Sequence, residues 1–525
     1  MSSTKHAHHP VVRVDQGTLV GVTEENCHRF LGIPYAAPPV GSLRWHAPLP
    51  PAVWEGQRDA TKFAPSALQT IDRGLPPDIV TSEDCLYLNV WSKSLDASAK
   101  QPVMFWIHGG GFLNGSSSMI LYHGGPLAQH GVTFVSINYR LGAFGFLRHP
   151  DAGGNFAVLD WVAALKWVSK NIRNFGGDPN NVTVFGESAG AVAVRTLLST
   201  PSAHDLFHRA IIQSAGCEPS VATSTPSLER VISASDDLFA ITGTRDLEAL
   251  RSIPAEEIRA ASFAASGLKP TNSNELHAPA DLRWYPVSDG AVITDEFVGW
   301  ADNVPVLFGF TADEARCFYR PDSVLGQPQL TPALAYTAGA VGRMTGTLGA
   351  DRAAAVAEYY ASQNMTPYEA IVDFGTAAWW SEPALATYNR FARLPNRTSY
   401  FYRFSRVSPA TRRSKLLALH TAELPYLFGP MTRRTAWRPW GDMPSAVPET
   451  EAPEDRDFDS DDVRVSAEMQ EAWVQFAKNG VPRNGDKEWP RCTVSDQRFT
   501  DIGDEVQWKQ LEVGPIERLI GEMRK

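Results

Sequence analysis

No apolar run in this chain approaches the roughly 20 residues that a bilayer-spanning helix needs, and the stretch MSSTKHAHHPVVRVDQGTLVG lacks the apolar core of a secretory signal. A soluble, cytoplasmic protein with no membrane span is the expectation. Cysteine is scarce: Cys27, Cys85, Cys217, Cys317 and Cys492 are few, odd in number and scattered, which reads as reduced thiols rather than a disulfide framework. Positive charge is not in excess either. The 48 Lys and Arg against 58 Asp and Glu leave a net charge of -10, which argues against nucleic acid as a partner, because phosphate recognition needs a dense cationic footprint. The basic groups at Thr411–Lys415 and Thr432–Arg434 read as solvated loops. There is no internal repeat and no linker-like stretch, so residues 1–525 read as one domain. Residues 1–10 are expected to form a flexible N-terminus, and the acidic, apolar-poor 449–462 (ETEAPEDRDFDSDD) a mobile surface loop.

Short β-branched apolar runs alternate with longer helical patterns, which predicts an α/β fold. PVMFWI (102–107), VTFVSINY (132–139) and VPVLFGF (304–310) read as buried strands, NFAVLDWVAALKWVSKNI (155–172) as an amphipathic helix and VRVSAEMQEAWVQFAKNG (463–480) as a helix ending at Gly480. Between them, FGESAGAVAVRTLL (185–198) places Gly186, Glu187, Ser188, Ala189 and Gly190 in succession. Gly-x-Ser-x-Gly is expected about 0.2 times by chance in a chain of this length, so its context decides. NVTVF (181–185) before it alternates as a strand does, and AVAVRTLL after it continues as a helix. That is the setting of a nucleophile elbow, in which a strained strand-to-helix turn exposes the serine oxygen.

A serine hydroxyl is a weak nucleophile until a base, an acid that orients the base, and donors for the developing oxyanion surround it. HGGGF (108–112) directly follows the strand 102–107, and its three glycines let backbone amides approach a substrate oxygen. An elbow of this kind implies the order serine, acid, histidine. Of the histidines after Ser188, His204 and His208 leave almost no chain for an acid-bearing strand, and His277 precedes the best later strand. That leaves His420, in LLALHTAELPYLFG. The acid belongs on a loop just past a strand, where VPVLFGFTADEARCF offers Asp313 and Glu314. Chemistry alone leaves both open.

The blocks FLGIPYAAPPVGSLRWHAP, SEDCLYLNVW, FWIHGGGF, NYRLGAFGFL, ALKWVSKNIRNFGGDPNNVTVFGESAGA, AIIQSA, GFTADEA, HTAELPYLFG and WVQFAKNGVPRNGDKEWP, in this order, resemble the type-B carboxylesterase and cholinesterase family over nearly the whole chain. The resemblance implies an α/β-hydrolase fold, with a large central, mostly parallel twisted sheet flanked by helices. It also implies hydrolysis of small-molecule carboxylic esters through an acyl-enzyme, with no metal or organic cofactor. It places the family's triad on Ser188, Glu314 and His420, its oxyanion amides on Gly110, Gly111 and Ala189, and supporting positions on Glu187 and Ser214. Ala315 and Thr421 stand where the family usually has glycine, and Trp161 where it often has glutamine. Cys85 matches a cysteine that is disulfide-bonded in secreted members, but its partner position near FAPSALQ holds none. Cholinesterases hold their cation over a tryptophan before the element matching SEDCLYLNV, whereas Ser66–Cys85 here contains no Trp, Tyr or Phe. Catalytically dead adhesion relatives typically lose the nucleophile, and this chain keeps all three triad types. Amide, carbamate or lactone cleavage by the same site remains the alternative to ester cleavage.

Overall fold

The computed structural model describes residues 9–24, 26–69, 76, 78–222, 227–267, 282–294, 300–318, 348–429 and 457–524. His277, Thr432–Arg434, residues 1–8 and residues 449–456 lie outside them.

Eleven strands form one sheet: β1 (Val22–Glu24), β2 (Cys27–Pro34), β3 (Tyr87–Ser92), β4 (Gln101–Ile107), β5 (Thr133–Ile137), β6 (Gly177–Glu187), β7 (Arg209–Gln213), β8 (Val306–Thr311), β9 (Ser399–Phe404), β10 (Arg498–Ile502) and β11 (Val506–Gln510). From edge to edge they run β11-β10-β9-β8-β7-β6-β4-β5-β3-β2-β1. From β10 to β5 every pairing is parallel, and the pairings outside that span are antiparallel.

Strand side chains alternate between faces, and here both faces are covered. Val103, Phe105 and Ile107 enter one core, and Met104 and Trp106 the other. A strand buried on both sides has no polar face, which is why 102–107 is continuously apolar. The first core takes in the buried side of α1 (Phe156–Asn171) and of α2 (Ala189–Leu197), and the second takes in α3 (Ser460–Asn479). Arg140 grips Asp160 of α1 through a buried fork, Nε to Oδ2 at 2.9 Å and Nη2 to Oδ1 at 2.6 Å. The bidentate geometry ties the chain just past β5 to the helix layer.

The end of the acidic stretch is not a surface loop. Asp459 caps α3 in a reciprocal capping box with Asp462, and Asp462 is fully buried, bonded to Arg406 Nε at 2.6 Å and to the Tyr426 hydroxyl at 2.6 Å. Composition registers the charge of such a segment but not the Arg406 that neutralises it. Thr411–Lys415 also differs from the loop expected: Pro409–Arg413 is a short helix with Thr411 buried, and Arg413 pairs with Asp457 at 2.7 Å. All five cysteines are buried, and no helix of the described residues is long and apolar enough to cross a membrane.

Candidate active site

The candidate residues gather where the parallel strands end, the edge at which ligands bind in open α/β sheets. Ser188 follows β6 and opens α2 at φ 57°, ψ -124°, a strained conformation for a residue with a Cβ. Its neighbours explain the flanking glycines. A Cβ on Gly190 would collide with Ile107 O, and one on Gly186 would lie 2.5 Å from Gly190 O and 2.7 Å from Ile107 O. The turn thus closes directly against the end of β4.

Past β4 the chain makes a second tight turn. Gly110 takes φ 115° and Gly111 φ 63°, and Gly110 O accepts from both Leu113 N and Asn114 N at 3.1 Å. Among the described residues nothing accepts from the N–H groups of Gly110, Gly111 or Ala189. A Leu282 methyl stands 3.5 Å from where a Gly111 Cβ would be.

The two neighbouring acids point apart. Glu314 is fully buried; its Oε1 accepts from Thr311 N at 2.8 Å and its Oε2 is hydrogen-bonded to His420 Nδ1. Asp313 instead pairs with Arg316 at 3.2 Å and accepts from Ala418 N at 3.3 Å. Of the other described histidines after the serine, His204 lies by Asp205 at the surface and His208 accepts from Val182 N, so neither joins the cluster.

His420 Nε2 lies 3.0 Å from Glu187 Oε1, although neither atom completes a hydrogen bond among the described residues. Phe318 and Trp380 each pack 5.3 Å from the imidazole and stack on one another at 5.5 Å. Trp380 is delivered by a π-helical turn, Ala377–Ser381, of a kind frequent at functional sites.

Glu423, three residues after the histidine and capping the short helix Leu424–Phe428, is a buried group that the sequence reading did not single out. Its Oε1 accepts from Gln213 Nε2 at 3.2 Å, and Gln213 Oε1 accepts from Trp473 at 3.1 Å. Its position in HTAELPYLFG, three residues from a candidate base, was the available signal. Burial works against charge on His420, but Glu187, Glu314 and Glu423 outweigh it and raise the imidazole to about 9. Burial pushes Glu187 up to about 8; His420 opposes this, and the charges of Glu423 and Glu314 add to it. Burial and Glu314 raise Glu423 to about 7. Groups this close share protons and titrate as a unit.

Ser214 follows β7 at φ 59°, donating its N–H to Gly309 O at 2.8 Å, while its buried Oγ completes no hydrogen bond among the described residues. The three departures from the family pattern are accommodated. Thr421 takes φ 73°, the left-handed region in which glycine is usual. Ala315 sits in a buried 3-10 turn and donates to Thr376 Oγ1 at 3.1 Å. Trp161 packs edge-on to Tyr139 at 5.5 Å beneath the glycine turn.

A model of the carboxylesterase family matches residues 8–515. The chain belongs to the carboxylesterase family. It is 37% identical over 502 residues to a fumonisin B1 esterase of Sphingopyxis macrogoltabida, covering 92% of this chain and 84% of that one. It is 36% identical over 498 residues to a para-nitrobenzyl esterase of Bacillus subtilis (strain 168), covering 92% of each. Among solved structures, a thermophilic PNB esterase matches with TM-score 0.78 at 31% identity, over 98% of this carboxylesterase and 100% of that chain. The fold is the α/β-hydrolase fold, and the carboxylesterase is a carboxylic ester hydrolase.

Proposed function

We propose that Ser188, Glu314 and His420 are the catalytic triad and that the amides of Gly110, Gly111 and Ala189 bind the oxyanion. The observation that carries this reading is the aim of Glu314: bonded to Thr311 N on one oxygen and to His420 Nδ1 on the other, it holds the imidazole by Nδ1 and leaves Nε2 to act as the base once His420 has lost its proton. Ser188 Oγ bonds to the acyl carbon while His420 takes its proton. The oxyanion collapses as the C–O bond to the alcohol breaks, and His420 returns the proton to the leaving oxygen. Water, deprotonated by the same nitrogen, then releases the acid.

Leu282, Phe318 and Trp380 make the surroundings apolar, which supports uncharged esters with apolar or aromatic groups as substrates; the names of the two esterase relatives agree with ester cleavage. Cys85, Cys217 and Cys492, buried as free thiols, support a cytoplasmic location. The test is a panel of chromogenic esters beside matching amides, with a choline ester beside its tert-butyl isostere. Esters should far outpace amides, and the choline ester and isostere should have similar kcat/KM. A choline ester preferred tenfold or more would reveal a cation site.

The carboxylate cluster sets a pH dependence. Ionised Glu187, 3.0 Å from Nε2, stabilises the protonated imidazole. Glu187→Gln removes that charge, so His420 loses its proton more readily and the acid limb of kcat/KM should move to lower pH, by about one pH unit or more. Profiles of the two proteins measure it; a limb that stays in place would mean that Glu187 is not ionised where His420 titrates.

A further inference from the structure

We infer that His108 is the residue that holds the oxyanion hole in its working orientation, by fixing the peptide between Gly109 and Gly110. This rests on the oxyanion reading above. His108 Nδ1 lies 2.8 Å from Gly109 O. A carbonyl oxygen only accepts, so Nδ1 carries the proton and Nε2 is a bare lone pair. Nε2 is buried with no hydrogen-bond partner. Burial pulls the imidazole down to about 4, partly offset by the bond to Gly109, so the ring stays neutral and its one N–H goes to Gly109.

In a trans peptide the C=O and the following N–H point in opposite directions. Holding Gly109 O toward His108 therefore turns Gly110 N–H to the opposite side, and Ser188 lies against this stretch, its Cβ 3.1 Å from where a Gly109 Cβ would be. Two glycines flank this peptide, and glycine populates both signs of φ readily. Without an anchor the peptide can flip, presenting a carbonyl oxygen where the oxyanion must sit. The surroundings protect the anchor. The His108 ring stacks on Tyr139 at 4.5 Å, and the Tyr139 hydroxyl donates to His108 O at 2.8 Å. Gly115 covers the bond from the other side, where a Cβ would lie 2.5 Å from Nδ1. Gln69 clamps Gly115 in turn, accepting from its N–H at 2.9 Å and donating to its C=O at 3.1 Å.

A residue that acts only through the oxyanion hole affects the transition state and not ground-state binding. The test compares His108→Leu, which removes the donor, with His108→Asn, whose Nδ2 stands close to where Nδ1 was. Kinetics on a chromogenic ester are paired with inhibition by a trifluoromethyl ketone, which forms a tetrahedral adduct, and by its methyl ketone isostere, which largely does not. His108→Leu should lower kcat and trifluoromethyl ketone affinity together by about 10- to 100-fold, up to the loss of one oxyanion donor. KM and methyl ketone affinity should stay within a few-fold, and His108→Asn should recover most of the loss. Equal behaviour of the two variants, or parallel loss of both ketones, overturns the role of His108. If the parent itself binds the two ketones equally, the oxyanion assignment falls as well. Should His108→Leu not fold, Tyr139→Phe keeps the stacked ring but loses the bond to His108 O. It should show the same pattern at smaller size, and a variant indistinguishable from the parent overturns the proposal.

Discussion

Replacing Ser188 by alanine is expected to lower ester turnover by at least ~10³-fold, since triad members act as a unit, while the fold stays intact. Alanine meets the same strain at φ 57° and fits the space that serine's Cβ occupies, so the substitution removes little but the oxygen. The amides of Gly110, Gly111 and Ala189 would remain, and residual turnover over water would come from them and from binding. The measurement is kcat on an activated ester, alongside the thermal melting curve. An organophosphate should label the parent stoichiometrically, with the adduct mapped by mass spectrometry to the peptide containing Ser188, and should leave the variant unlabelled. Undiminished hydrolysis would remove Ser188 from the mechanism.

Glu314→Gln should cost ~10²- to 10⁴-fold in kcat, through the tautomer of His420. Thr311 N–H donates at 2.8 Å to Oε1, so a glutamine must place its carbonyl oxygen there and turn its NH₂ toward Nδ1. The imidazole then accepts at Nδ1 and carries its proton on Nε2, where it cannot receive one from Ser188. Asp313→Asn alters only the contacts to Arg316 and Ala418 and should change kcat by no more than about 3-fold, as surface substitutions usually do. The opposite ranking would transfer the role to Asp313.

The sequence made the strands around the site legible because burial on both faces leaves no polar positions, as in Val103–Ile107. It made the elbow legible because collision with the end of β4 leaves no room for a side chain at Gly186 or Gly190. Spacing could not decide between Asp313 and Glu314, since consecutive side chains on a turning backbone diverge; the family resemblance named Glu314, and the fold shows it meeting His420. Trp380, Phe318 and Leu282 were invisible as site residues for a similar reason: an apolar residue carries no mark of whether it faces a core or a cleft. Only the end of the acidic segment, from Asp457 to Asp462, departs from the loop expected, because its partner Arg406 lies on a different element.

The strand order also governs when the enzyme first becomes an enzyme. His108 and Ser188 follow β4 and β6, neighbours in the middle of the sheet, whereas Glu314 follows β8 and His420 comes only after β9. In a growing chain Ser188 therefore emerges well before His420, the base proposed for it, and without a base a serine hydroxyl is a weak nucleophile. The pairings that complete the site are non-local, the kind that form slowly because distant segments must meet first. Turnover consequently reports the finished topology, and a partly assembled sheet contributes none of it.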